Sequence, residues 1–250
     1  MSFAASGSPA TVALDPAAML SLMRLSSPAL PIGGFSYSQG LESAIDAGWV
    51  RGEADVRDWL ATLLEANIGQ FDAPLCLALC RATAVADDVE ADRLHVRWLA
   101  SRETAELHAE SVQMGQSLLQ MLAGLELDDY TRVRVSALRD GDQPCALPLA
   151  WALAARAFGL DPVAALAAWL WAWLENQVMA AIKAVPLGQQ AGQRLFSALR
   201  PGLAAVIGRC AEAQGTCQSS VGSQPWSNFA PGFAIASARH ETQYSRLFRS

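Results

Sequence analysis

Between Leu94 and Leu122 the chain repeats in alternating steps of four and three, through Leu94, Trp98, Ser101, Ala105, His108, Val112, Gly115, Leu119 and Leu122. That spacing follows the 3.6-residue turn of an α-helix, whereas strand side chains alternate every second residue. A stripe this long must lie against other helices, and its small members let a neighbouring backbone approach closely. The run Asp87 to Gly124 thus predicts the longest periodic stretch of a helical bundle.

The rest of the chain repeats the pattern with its own punctuation. Asp15-Pro16 is a helix start, with Asp as cap and Pro in the first turn, and Met19, Leu22 and Met23 form its apolar face. Pro31-Ile-Gly33-Gly34 reads as a tight turn, because proline presets φ and glycine takes positive φ cheaply. From Tyr37 the spacing Tyr37, Leu41, Ala44, Ile45 predicts a helix capped by Ser36, with Ser38, Gln39 and Glu42 on its wetter side.

Further helices are expected over Glu53 to Gln70, Asp72 to Ala84, Leu147 to Phe158, Val163 to Val185 and Gly188 to Cys210, the last with Pro201-Gly202 inside it. Thr131 to Leu138 alternates and could pass for a strand, but no second strand is there to pair with it. The expectation is an all-α protein: a single helical-bundle domain of six to ten helices, with flexible N- and C-terminal arms. Its boundaries are an N-terminal arm over 1–14, a helical domain over 15–213, a linker over 214–233 and a tail over 234–250.

Composition narrows the functions open to such a bundle. With a net charge of -6 and no dense Lys/Arg patch, nucleic acid is excluded as a natural partner. The oiliest run, Val163 to Leu174, is broken by Glu175, Asn176 and Gln177 before reaching the roughly 20 residues a membrane span needs. It reads as a buried helix, with no membrane partner. No basic region precedes an apolar run at the N-terminus, and 5 cysteines without framework spacing suit a reducing compartment, so a cytoplasmic location is expected. Hydrophobic residues make up 52% of the chain and charged ones only 17%. That balance fits either an alanine-rich core or apolar surface kept for partners.

Catalytic and cofactor signatures are missing. There is no Gly-Lys dipeptide and hence no phosphate-binding loop, no HExxH, and Gly34-Phe-Ser36-Tyr-Ser38 ends in serine where a nucleophile elbow needs glycine. No catalytic, cofactor-binding or metal residue is assigned, and no intrinsic cofactor is expected. Of three histidines, His95 lies between Arg93 and Arg97 on an expected solvated face, and His108 falls in the packed stripe as a core histidine. Cys76 and Cys80 share a helical face; without a nearby histidine they read as buried structural thiols. Arg102, Glu103, Glu106 and Glu110 read as a charged helix face.

Two patterned stretches remain. Trp169, Asn176 and Lys183, the only lysine, recur every seven residues and lie nearly in one line, followed by the amide-rich run Pro186 to Gln193 that includes Gln189. This is either a docking strip or a helix that surfaces at its C-terminal end, its Lys near the negative pole of the helix dipole. The tail carries a net charge of +2, from Arg239, Arg246 and Arg249 against Glu241, on an acidic body. With His240, Tyr244, Leu247 and Phe248 it is either a segment that folds upon a partner or one that docks on its own body.

Four stretches resemble the urease accessory protein UreF family: LMRLSSPALPIGGFSYSQGLESAIDAGWV (Leu22 to Val50), SRETAEL (Ser101 to Leu107), ENQVMAAIKAVPLGQQAGQRL (Glu175 to Leu195) and ASARHETQYSRLFRS (Ala236 to Ser250). Together they span nearly the whole chain, with weak matches over 125–144 and 214–232. The resemblance implies an all-α homodimer without an active site of its own. It would bridge the scaffold UreD (also called UreH) and the GTPase UreG, and modulate GTP-dependent nickel delivery to apo-urease. It implies that the tail, from Arg239 and His240 through Tyr244 to Arg246 and Phe248, is gripped by the scaffold. Tyr37, Ser38, Gln39, Glu42, Lys183 and Gln189 would contribute to partner-binding surface, largely toward the GTPase. The alternative is a chain that itself carries nickel, for which it offers few clustered imidazole or thiolate ligands.

Overall fold

The computed structural model describes residues 15–213 and 226–250. The N-terminal arm over 1–14 and most of the expected linker lie outside them. Among the described residues the architecture is all-α: α1 Pro16–Leu25, α2 Leu41–Asp46, α3 Glu53–Leu63, α4 Ala73–Ala84, α5 Asp88–Ala100, α6 Ala105–Ala123, α7 Asp129–Asp140, α8 Leu147–Ala157, α9 Pro162–Ala184, α10 Gln189–Glu212 and α11 Pro231–His240. No helix among them is long and apolar enough to cross a membrane.

Helix starts follow local chemistry. The side chains of Asp15, Asp87, Thr104, Asp128 and Asp161 each accept a hydrogen bond from a first-turn N–H, satisfying donors that the helix itself cannot. The middle of the bundle is α4 and α8. Leu75, Cys76, Leu77 and Leu79 of α4 are sealed from solvent, and every residue from Pro148 to Ala155 of α8 is buried. Around them pack α5, α6, α9 and α10, with α1 and α2 laid on α9.

The elbow differs from its expected form. Gly34–Ser36 is a single 3₁₀ turn, and the following helix starts at Leu41 with Gly40 as its cap, not at Tyr37 with Ser36. Gln39 and Gly40 both take positive φ, 53° and 76°. A Cβ on Gly40 would also sit 3.0 Å from the Ser237 nitrogen of α11. Glycine is therefore required there twice over, by its backbone conformation and by the close approach of the tail helix.

The long stripe is two helices, broken over Ser101–Thr104. After the break the inward register is Leu107, Glu110, Ser111, Met114 and Leu118, so Ala105, His108 and Val112 fall beside the stripe, not on it. Thr131 to Leu138 is helical within α7: its alternation disguises a half-exposed helix, in which Thr131 and Val135, one turn apart, are buried. His95 is buried, not solvated, and its Nε2 accepts the Ala146 N–H at 2.9 Å. Burial therefore lowers its pKa from the usual imidazole value.

Between α3 and α4 the chain widens into a π-helix over Leu64–Asp72. A Cβ on Gly69 would stand 2.6 Å from the Leu64 carbonyl oxygen and 3.0 Å from Val206 Cγ2 of α10. The turn ends at Asp72, whose carboxylate receives Arg102 Nη2 at 2.7 Å in a nearly buried pair. The Arg102 guanidinium lies 4.0 Å over the Trp98 ring. That pair ties the break between α5 and α6 to the start of α4.

Candidate functional site

Most of the polar residues marked out by the sequence meet at one corner, formed by the elbow, the first half of α6, the C-terminal half of α9 and the tail. The tail from α11 onward lies against the body, so of the two readings the described residues adopt the docked one. Its helix packs on α2, burying Phe233 and Ala236, and the Thr104 and Ser237 hydroxyls meet at 2.8 Å.

Beyond α11 the backbone is held by the elbow. A main-chain carboxyl oxygen of Ser250 accepts from the N–H groups of Ser38 (2.7 Å) and Gln39 (3.1 Å) and from Ser38 Oγ (2.6 Å). In return the Arg249 N–H donates to the Ser36 carbonyl at 2.8 Å. Glu42 reaches the tail from α2: its Oε1 accepts the Leu247 N–H at 2.7 Å and its Oε2 the Phe248 N–H at 3.0 Å. Such charge-assisted bonds are about twice as strong as neutral ones. Hence Ser38 and Glu42, expected on a wet face, are buried, and Gln39 is half-buried.

His240 is fully buried between two carboxylates, with Nδ1 2.7 Å from Glu106 Oε2 and Nε2 3.3 Å from Glu42 Oε2. Arg246 reaches the other Glu106 oxygen at 2.6 Å. Because the carboxylates face opposite ring nitrogens, they do not converge on one point. Among the described residues no group of three or more His, Cys, Asp or Glu could hold a metal ion. Cys76 and Cys80 are buried, and the Cys76 thiol is held well above its ordinary pKa by its hydrogen bond with Cys80 and by burial.

Gln39 carries the network inward. Its Nε2 donates to Glu110 Oε1 at 2.7 Å, and its Oε1 accepts from Trp173 Nε1 (3.0 Å) and Gln177 Nε2 (3.3 Å) of α9. Asn176 donates to the Tyr37 carbonyl at 2.8 Å, and the Tyr37 hydroxyl donates to Gln113 Oε1 at 2.7 Å. Burial raises the Tyr37 phenol above its ordinary pKa, against the opposing pull of Arg249.

Other residues face outward at the same corner. Lys183 is exposed, with Nζ 5.9 Å from the Phe35 ring centroid and 5.8 Å from that of Phe248. Phe35, Tyr244 and Leu247 are among the most exposed large side chains of the described chain, although the backbone beside the latter two is pinned. Arg239 lies 5.2 Å from the Trp49 ring. Gln189 is exposed in the first turn of α10, across the short connection from Lys183. The expected line of Trp169, Asn176 and Lys183 runs from core to surface, for Trp169 is buried against Trp98.

Sequence reasoning missed Glu110, Gln113, Trp173 and Gln177 as members of this network, and read Glu106 and Glu110 as a solvated face. The signal lay in register: Glu110 falls three residues after Leu107 and four before Met114, on the inward stripe of α6.

The geometry defines a class, an all-α bundle whose buried polar groups hold the chain's own tail in a fixed pose. The UreF family model matches residues 50–200. Urease accessory protein UreF of Azotobacter vinelandii is 52% identical over 234 residues, covering 93% of this chain and 99% of that one. That of Azoarcus sp. is 50% identical over 237 residues, covering 93% and 95%. The chain belongs to the UreF family.

Proposed function

We propose that the chain is a non-enzymatic co-chaperone of urease maturation, acting in the cytoplasm as a homodimer. In this reading it bridges the scaffold UreD (UreH) and the GTPase UreG, and modulates GTP-dependent nickel delivery to apo-urease. Relatives about half identical over nearly the whole chain are named urease accessory proteins, which supports the general role. The observation that carries the finer reading is the fully exposed Tyr244, with Leu247 three residues on, displayed by a tail whose backbone is locked from beneath. Exposed aromatic and aliphatic groups on a fixed backbone bind a partner without the ordering cost of a loose segment. Tyr37, Ser38, Gln39, Glu42 and His240 then position the tail, while Lys183, Phe35 and Gln189 offer contact surface beside it.

The test is co-purification with UreD and UreG, each alone and then together. Tyr244→Ala/Leu247→Ala, at exposed positions, should fold normally and lose most UreD capture. Undiminished capture would return those side chains to plain solvent exposure. In the same experiment Lys183→Ala is expected to weaken UreG recruitment by about two- to fivefold, the scale of one lost exposed charged contact.

A further inference from the structure

Glu110 joins three parts of the corner that are far apart in sequence. It projects from α6 beneath the tail; its Oε1 accepts from Gln39 Nε2 of the elbow, and its Oε2 accepts from Ser250 Oγ, both at 2.7 Å. Ser250, Ser38 and Phe248 are all buried above it. We propose that residues 247–250 are a proton-controlled latch over Glu110, closed most firmly when that carboxyl is protonated and loosened as it ionises. The inference deepens the proposed function, resting on its reading of the tail as the gripped element, and concerns how that element is released.

The closed pose removes the carboxyl from water, and burial lifts its pKa from 4.5 to about 7 against the opposing hydrogen bonds of Gln39 and Ser250. Lifting the tail readmits water and returns the group to its ordinary range, so opening releases one proton to solvent. An acid whose pKa is higher in the closed form favours closure fully below about 4.5, and that advantage is lost as pH rises to about 7. Above that value both forms are ionised, and the opening equilibrium levels off.

Other titratable groups line the corner. Tyr37 faces Glu110 from the elbow, with Arg249 of the tail upon Tyr37; the main-chain carboxyl of Ser250 comes in beside the hydroxyl that bonds Glu110; and Arg102 and Asp72 act on Glu110 from the α5–α6 break and the end of the π-helix. Glu106 lies one turn earlier on α6, with Arg246 upon it, while Glu42 of α2 and His240 of α11 form the neighbouring cluster. On α9, Trp173 and Gln177, which bond Gln39, do not titrate; Glu175 lies two residues from each, its pKa raised by burial. His240, held between Glu106 and Glu42, is the other titratable group beneath the tail and the rival to Glu110. Substitution must therefore separate the two.

Hydrogen exchange of the 241–250 segment in the full chain, corrected for intrinsic rates, reads the latch directly. Opening is expected to increase on the order of tenfold from pH 5.5 to 7.5 and then level off. Glu110→Gln should abolish that rise, and His240→Gln should keep it. A flat wild-type profile overturns the latch, as does a rise that survives Glu110→Gln and vanishes in His240→Gln. Should Glu110→Gln fail to fold, carboxyl ¹³C NMR of the wild type decides: a Glu110 midpoint near 7 supports the latch, and an ordinary midpoint sinks it. These measurements use the chain alone. Failure of UreD capture with a working latch therefore removes only the functional reading, and capture with a pH-independent tail removes only the latch.

Discussion

Replacing Asp72 with alanine is expected to lower folding stability by about 3–5 kcal/mol, the usual cost of stranding one member of a buried ion pair. The side chains of Arg102 and Asp72 are only 9% and 6% exposed. Without the carboxylate, the guanidinium keeps Ser101 Oγ at 2.9 Å and the Trp98 face, neither of which neutralises it. The loss also reaches the break between α5 and α6, because the same arginine holds Ser101 while Thr104 caps the next helix through the Leu107 N–H. Chemical denaturation checks the figure. Asp72→Ala/Arg102→Met should recover most of the loss, since apolar replacement of both partners leaves no buried charge. A loss below about 1 kcal/mol for the single variant would mean that water reaches the pair and the junction is held by packing alone.

Glu42→Ala is expected to free the tail while leaving the bundle folded. It removes the acceptor for two N–H groups, those of Leu247 and Phe248, and one of the two carboxylates flanking His240. An orphaned buried donor costs about 1–3 kcal/mol, so exchange of those two amides should accelerate about ten- to a hundredfold. Glu42→Gln, which keeps one acceptor oxygen, should fall between wild type and alanine. Global stability should drop much less than local protection, because the α4–α8 centre of the core lies away from the corner. If both amides keep their protection in Glu42→Ala, the hold on the tail comes from Ser38 and Gln39 on the Ser250 main-chain carboxyl instead. Capture by UreD should decline in step with the lost protection if the locked pose is what the partner recognises.

Much of the fold was legible because its signals are local. Asp15-Pro16 and Asp161-Pro162 start helices by bonding their own first turns, and Gly159, at φ 66°, follows α8 as the chain turns out of it. Thr131 to Leu138 misled because a helix with one narrow buried strip leaves most positions free to alternate. The corner was legible in its members and hidden in its arrangement. Polar and aromatic residues stood out at the elbow, the end of α9 and the tail, but a bond such as Ser38 to Ser250 spans 212 positions. No window of sequence contains both partners.

By itself, then, the amino-acid order determined an all-helical body, most of its helix starts and stops, and which residues were too unusual to be filler. Tertiary structure alone decided that Glu42, Glu110 and His240 are enclosed, that one long periodic stripe divides at Ser101–Thr104, and that the tail lies on the elbow. Capping and periodicity are satisfied within a few residues, whereas burial and charge pairing depend on which surfaces meet once the whole chain has packed.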